Sequence, residues 1–283
     1  MPTPHSFSVT AKHVPLRTSP YSVFPLKRFH HPDSFASVQL NQLYHSLSKP
    51  LMERPDDVLN SRLYYWASPT QADASAWSQV QDIISFSYNY RYLSDPTQYV
   101  PIGYEVDDKS QVFTVQQDLG NDSVVLATAR AVVGSELDCY DLFEGVERRE
   151  KAVEFVRFSF HPILDMFPKD PNATMFKILQ LHKRYIFRML LSTMVDFAQR
   201  AEWGTMFIIL PPHVKKYMAE SGFGLIPVPF ALPSEAKEYD EMRNTFSKYW
   251  KPGAPVEEQP ALYTVSPQVE PFKKELNGYT IIL

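Results

Sequence analysis

The sequence has one cysteine, Cys139, only nine glycines, and no excess of either charge: 28 Lys and Arg stand against 32 Asp and Glu, for a net charge of -4. A lone thiol has no intramolecular disulfide partner, and no Cys or His/Cys spacing points to a zinc site. His30, His31 and Asp33 stand close together without a third histidine nearby, so they read as a loop and no metal is expected. The absence of a basic stripe removes the electrostatic basis for nucleic-acid binding. No segment approaches the roughly 20 consecutive apolar residues that span a bilayer. Residues 1–25 are broken by prolines and polar residues, with no apolar run of signal-peptide length. These absences favour a soluble protein of a reducing cytoplasm.

What remains is a chain of 283 residues, 44% hydrophobic and 21% charged, which suffices for one sizeable core. Residues 1–57 carry many prolines and histidines without periodicity and read as an irregular arm or cap, with a short helix over 35–48. Residues 58–283 read as one domain. Helical spacing over 73–92 places Trp77, Val80, Ile83, Ile84 and Phe86 on an apolar side. Strands follow over 99–106, 111–116 and 123–133, the last two flanking the turn-forming Leu119-Gly120-Asn121-Asp122. Residues 153–160 alternate, and His161-Pro162 ends that strand.

The longest helix is expected over 173–201, with Phe176, Leu179, Ile186, Met189, Leu190, Met194 and Phe197 forming its stripe. A short apolar run at 206–210, bounded by Gly204 and Pro211, suits a strand buried on both faces. A short helix over 213–220, a strand over 224–229, a helix over 234–249 and a strand over 261–266 complete the order. Such a succession implies a mixed sheet with helices on its faces, an α/β or α+β domain.

Within this order, Val153-Glu154-Phe155-Val156-Arg157-Phe158 resembles the E-x-S-R-F strand signature of acyl-homoserine lactone synthases, with Val156 where serine is usual. Glu105-Val106-Asp107 resembles the E-x-D element of the same family, and Leu126-Ala127-Thr128-Ala129-Arg130 its arginine-ended strand. Ser221-Gly222-Phe223 is similar to the Gly-Phe after the short helix of many GNAT acyltransferases. The family's further Asp, three residues after E-x-D, is Ser110 here. The same core pattern occurs in N-acyl amino acid synthases. The resemblance covers residues 78–266. It implies the GNAT-like acyl-CoA N-acyltransferase fold, and transfer of a fatty acyl group to the amine of an amino acid or related small metabolite.

No permanently bound cofactor is implied. The co-substrate is a phosphopantetheine thioester, on acyl carrier protein or on coenzyme A. Coenzyme A users carry a glycine-rich turn after the fourth strand, where backbone N–H groups hold the pyrophosphate. Residues 165–174 contain no glycine, which favours acyl carrier protein as donor and partner. Two other readings are an acetyl-CoA-dependent N-acetyltransferase and a non-catalytic acyl-thioester- or partner-binding protein.

Acyl transfer to an amine needs a base for the amine's proton and donors aimed at the developing oxyanion. Glu154, mid-strand, is the expected base; the alternative is a structural ion pair with Arg130 or Arg157. Arg130 and Arg157 suit a carboxylate or carbonyl of the acceptor through their planar forks. Glu105 and Asp107 suit its ammonium, or else form a solvated acidic turn. Tyr217 is the expected acid for the leaving thiolate, against a purely structural role. Phe158, with Phe160, Phe187 and Trp203, suits an acyl channel or plain core. The oxyanion donor is expected to be a backbone N–H beside Phe158 or Phe160.

Overall fold

The computed structural model describes residues 42, 46, 61–66, 74–92, 110–118, 123–165, 174–229, 232–233, 255, 258–269, 273–276 and 279–282. In chain order the elements are β1 (Ser61–Trp66), α1 (Ala74–Tyr92), β2 (Ser110–Asp118), β3 (Ser123–Val133), α2 (Asp138–Leu142), β4 (Phe143–Glu144), β5 (Ala152–Phe160) and α3 (Pro162–Asp165). Then come α4 (Thr174–Arg200), β6 (Thr205–Leu210), α5 (Pro212–Glu220), β7 (Phe223–Pro227), β8 (Leu232–Pro233), β9 (Ala261–Val269), β10 (Lys273–Leu276) and β11 (Tyr279–Ile282). Seven strands share a sheet in the order β1-β2-β3-β5-β6-β9-β7. β5 and β6 run parallel, whereas β1–β2, β6–β9 and β7–β9 are antiparallel. The sheet is therefore mixed and the chain falls in the expected α/β class. Among the described residues no helix is long and apolar enough to cross a membrane.

Nine expected elements appear within a few residues of their expected bounds. The expected strand at 99–106 and helix at 234–249 lie outside the described residues. So does the helix over 35–48, apart from Gln42 and Ser46, which are helical. Not anticipated were β1, the two-residue strands β4 and β8, the short helices α2 and α3, and the β10–β11 hairpin. In that hairpin Leu276 pairs with Tyr279, and Asn277-Gly278, a pair that favours a tight turn, stands between them.

The chain forms two compact units, one of Met1–Ala129 with Arg157–Leu190, the other of Arg130–Val156 with Leu191–Leu283. In the first, α1 buries Ala76, Val80, Ile83 and Ile84 against Val112 of β2 and Val125 of β3, with Trp77 and Tyr88 at the margin. Each large side chain so buried stabilises by roughly 1.5–3 kcal/mol. Gln79 ties the helix to β3 with both ends of its amide: Nε2 donates to Ser123 O at 3.1 Å, and Oε1 accepts from Val125 N–H at 2.9 Å.

In the second unit β6 is buried along nearly its whole length, as its unbroken apolar run requires. Pro211 ends it, and Pro212 opens α5 where a missing N–H costs nothing. β7 shifts register against β9 between Phe223 and Leu225. Gly224 lies in that irregularity because a Cβ there would come within 2.8 Å of Ser266 Cβ. The C-terminus of α4 closes with Trp203 N–H on Ala198 O (2.9 Å) and Glu202 N–H on Gln199 O (3.0 Å). Glu202 holds the left-handed position, φ 57°, usually given to glycine.

Candidate active site

β5 is the strand that carries the chemistry, and its backbone is irregular at one point. Gly134 N–H donates to Ala152 O at 3.2 Å, and His161 N–H to Leu126 O at 2.8 Å. Between these bonds β3 advances eight residues and β5 nine, so β5 holds one extra residue, a β-bulge. Arg157, at φ 56°, is where its backbone leaves the extended region. For a residue other than glycine this conformation costs roughly 1–2 kcal/mol. Bulges interrupt the ladder and turn backbone groups away from it.

The bulge also changes which side chains share a face. An extra residue in a strand reverses the alternation of side chains beyond it. Counting from the Leu126–His161 pair sets Thr128 of β3 opposite Ser159. Both are fully buried, and neither hydroxyl has a hydrogen-bond partner in the protein. The same count places Arg130, also fully buried, on the Glu154 face of β3.

Glu154 itself is 1% exposed. It stands in register with Phe207 of β6, and Tyr140 of α2 packs edge-on to that Phe207 ring at 5.9 Å. Its Oε2 accepts the backbone N–H of Cys139 at 3.0 Å, while Oε1 has no partner. Hydrogen bonding from Cys139 and Asp138 favours the ionised form of the carboxyl. Burial, with the Asp138 carboxylate as a second cause, nevertheless pushes its pKa up to about 8, and these donors offset only part of that rise. Cys139 is fully buried, and desolvation together with the neighbouring Glu154 pushes its thiol well above the usual range. It is thus a hydrogen-bond donor rather than a nucleophile.

The loop after α2 fastens this arrangement. Tyr140 Oη accepts Arg149 N–H at 3.0 Å and donates to Arg149 O at 3.4 Å. Arg149 Nη1 reaches Thr205 Oγ1 at 2.8 Å, at the start of β6. Arg148 bonds Asp141 at 3.0 Å and lies 5.6 Å from the Tyr140 ring centroid. Gly204 and Thr205 N–H both donate to Lys151 O. These contacts pin α2 at both ends of the 145–151 segment, so the Cys139 N–H meets the carboxylate at a fixed place.

The other expected site residues are distributed as follows. No arginine among the described residues pairs with Glu154, so the alternative of a structural ion pair with Arg130 or Arg157 is not what holds it. Arg157 is half-buried at the bulge, as is Phe158 beside it. The Phe158 ring lies 5.7 Å from Phe187 of α4, and Phe160 lies 6.1 Å from the same ring. Lys183 Nζ sits 4.6 Å over Phe160. Tyr217 is half-buried on α5, and its carbonyl accepts both the N–H (3.1 Å) and the Oγ (2.8 Å) of Ser221. Glu105 and Asp107 lie outside the described residues. Asp138 and Cys139 were not anticipated as partners of Glu154: they sit in a connection 15 residues upstream with no periodic pattern of their own. Among the described residues no group of His, Cys, Asp and Glu is placed to hold a metal ion.

No protein-family model matches the sequence, and no curated protein matches it. Solved structures do. The AHL synthase LasI is 9% identical, over 74% of this chain and 89% of its own, with a TM-score of 0.44. FeeM, an N-acyl amino acid synthase from uncultured soil microbes, is 9% identical over 73% and 89%, at 0.34. MesI, a CoA-dependent acyl-homoserine lactone synthase, is 14% identical over 60% and 87%, at 0.31. The likeness is one of fold. At such identities it carries no residue roles across, and the chemistry must be argued from the side chains above.

Proposed function

We propose that this protein is an acyltransferase that moves an acyl group from a phosphopantetheine thioester to a small primary amine. The observation that carries the reading is Glu154: a carboxyl buried mid-strand, held by one oxygen, open at the other, and with its pKa raised to about 8. Core architecture gains nothing from a half-satisfied carboxyl, whereas a proton-transfer group needs an oxygen to spare and a pKa near the working pH. The sequence motifs around it support the same chemistry.

In this reaction the amine nitrogen attacks the thioester carbonyl and the new C–N bond forms. Glu154 Oε1 takes the proton released from nitrogen, directly or through a water, and the C–S bond breaks to release the thiolate. Tyr217 is the proposed proton donor to that thiolate, so the products are an amide and a free thiol. The proposed oxyanion donor is a backbone N–H beside the bulge. Arg130 and Arg157 are proposed to bind a carboxylate or carbonyl of the acceptor, Glu105 and Asp107 its ammonium, and Phe158 the acyl chain. The acceptor proposed is an amino acid or related metabolite. The donor proposed is acyl carrier protein, since residues 165–174 carry no glycine for a coenzyme A pyrophosphate turn, with acyl-CoA second. A reducing cytoplasm suits these substrates.

Mass spectrometry of extracts from cells expressing the protein, compared with cells expressing Glu154→Gln, tests the reading. New N-acyl species that vanish in the variant are the expected result and name both substrates. Equal amounts from both would remove Glu154 from the mechanism.

A further inference from the structure

The partner of Glu154 Oε2 is a backbone N–H, so whatever holds the α2 backbone also holds the carboxyl. α2 spans only Asp138–Leu142, and Leu137 before it makes no side-chain cap bond. So short a helix cannot sustain itself, because nucleation fixes several residues for each bond gained. The place of the Cys139 N–H, 3.0 Å from Glu154 Oε2, is therefore imposed from outside the helix. Tyr140, the next residue, carries the contacts that impose it. Its ring meets Phe207 edge-on at 5.9 Å, and Phe207 stands in register with Glu154. Its hydroxyl accepts Arg149 N–H at 3.0 Å and donates to Arg149 O at 3.4 Å, while Arg149 Nη1 reaches Thr205 Oγ1 at 2.8 Å. We propose that Tyr140 is a positioning residue for Glu154: anchored on Arg149 and Phe207, it sets the place of the Cys139 N–H, which occupies Oε2 and leaves Oε1 to exchange protons with substrate. This rests on the reading of Glu154 as the base.

A carboxyl rotates about its last torsion, which is broad and two-fold, unless a directional partner stops it. A donor held still stops that rotation, and a donor on a fraying turn does not. The Tyr140 hydroxyl sits at the far end of its side chain, where a small rotation of α2 would displace it most, and both its hydrogen and a lone pair are committed to the backbone of one residue. Burial holds the phenol above its usual range, so it remains a donor while Glu154 titrates. The charged and titratable groups around the carboxyl are Asp138, Cys139 and Tyr140 on α2 and Arg130 on β3, while β6 presents the apolar Phe207. Asp138 opposes ionisation of Glu154 and the Cys139 N–H favours it. The ionised form that a base requires thus depends on that N–H keeping its distance.

Tyr140→Phe keeps the ring on Phe207 and deletes both bonds to Arg149. Thr205→Val opens the far end of the same chain of contacts, and Gln79→Leu removes two hydrogen bonds of similar worth at α1, away from Glu154. The test is the titration of the Glu154 carboxyl infrared band, assigned by its loss in Glu154→Gln, followed in the wild type and these three variants. The expected result is a midpoint displaced upward by about one pH unit in Tyr140→Phe, the order of one hydrogen bond to a charged group. Thr205→Val should move it less in the same direction, and Gln79→Leu not at all. In acyl transfer, Tyr140→Phe should lose about tenfold at pH 7, since the ionised fraction falls tenfold per unit below the midpoint, and recover above its displaced midpoint. An unmoved midpoint in Tyr140→Phe, or an equal displacement in Gln79→Leu, overturns the proposal. So does an activity loss that is constant across pH, because that is what a packing role alone would produce. The infrared midpoints decide the Tyr140–Glu154 coupling even if Glu154→Gln proves fully active, in which case it is the catalytic reading that fails.

Discussion

Gln79 and Glu154 are both polar side chains set against strands of the sheet, and they are satisfied very differently. The Gln79 amide spends its donor on Ser123 O and its acceptor on Val125 N–H. The Glu154 carboxyl spends one oxygen on α2 and leaves the other without a partner. A fully satisfied polar group is part of the architecture, since it replaces backbone bonds that the sheet lacks at that point. A buried, half-satisfied acid weakens the fold and persists where chemistry needs it. The difference separates what builds the protein from what it does.

The comparison breaks most plainly in activity. Glu154→Gln keeps shape and removes the proton acceptor, so transfer should fall by about 10²–10⁴-fold, the usual contribution of general base catalysis; product formation measured by mass spectrometry checks it. Next comes the pH dependence of stability. The folded-state pKa of Glu154 lies above its unfolded value of 4.5, so the folded state holds the extra proton between pH 4.5 and about 8. Stability from this group is full below pH 4.5 and is lost as pH rises through about 8, with a slope approaching roughly 1.4 kcal/mol per pH unit. Urea melts across that window should show the decline in the wild type and a flatter profile in Glu154→Gln.

Gln79→Leu should act in the opposite way. It leaves Ser123 O and Val125 N–H without their side-chain partner and should destabilise by about 1–3 kcal/mol at every pH, with no pH signature. The smallest effect is expected at Thr128→Val. Its hydroxyl is buried without a protein partner, so the isosteric change should be neutral or stabilising by up to about 1 kcal/mol. A clear loss in chemical denaturation would mean that an ordered water or a substrate group satisfies that hydroxyl, and would place Thr128 with Glu154 rather than with Gln79.

Local pattern carried much of the fold. The period of α1, the long stripe of α4, the Pro-bounded run of β6 and the alternation of β5 are each set within a dozen or so residues. Side-chain direction in a helix or strand follows from its own repeat. β1 escaped because SRLYYW is short and gains its strand character from the β2 edge it pairs with, where Ser61 meets Gln117 and Trp66 meets Val112. Its stability is tertiary.

For the site, the sequence by itself determined that a glutamate would sit in the interior of a strand with an arginine three residues on, because alternation and the His161-Pro162 stop leave little choice there. Only the tertiary structure decided the rest. The bulge at Arg157 interrupts the alternation of β5, and a left-handed arginine has no local signal. The pairing of Glu154 with Cys139 rather than with an arginine required a loop closure of 15 residues, held by Arg149, Tyr140 and Thr205. Burial, and with it the raised pKa of Glu154, arises from what folds over the carboxyl, which no window of sequence around residue 154 contains.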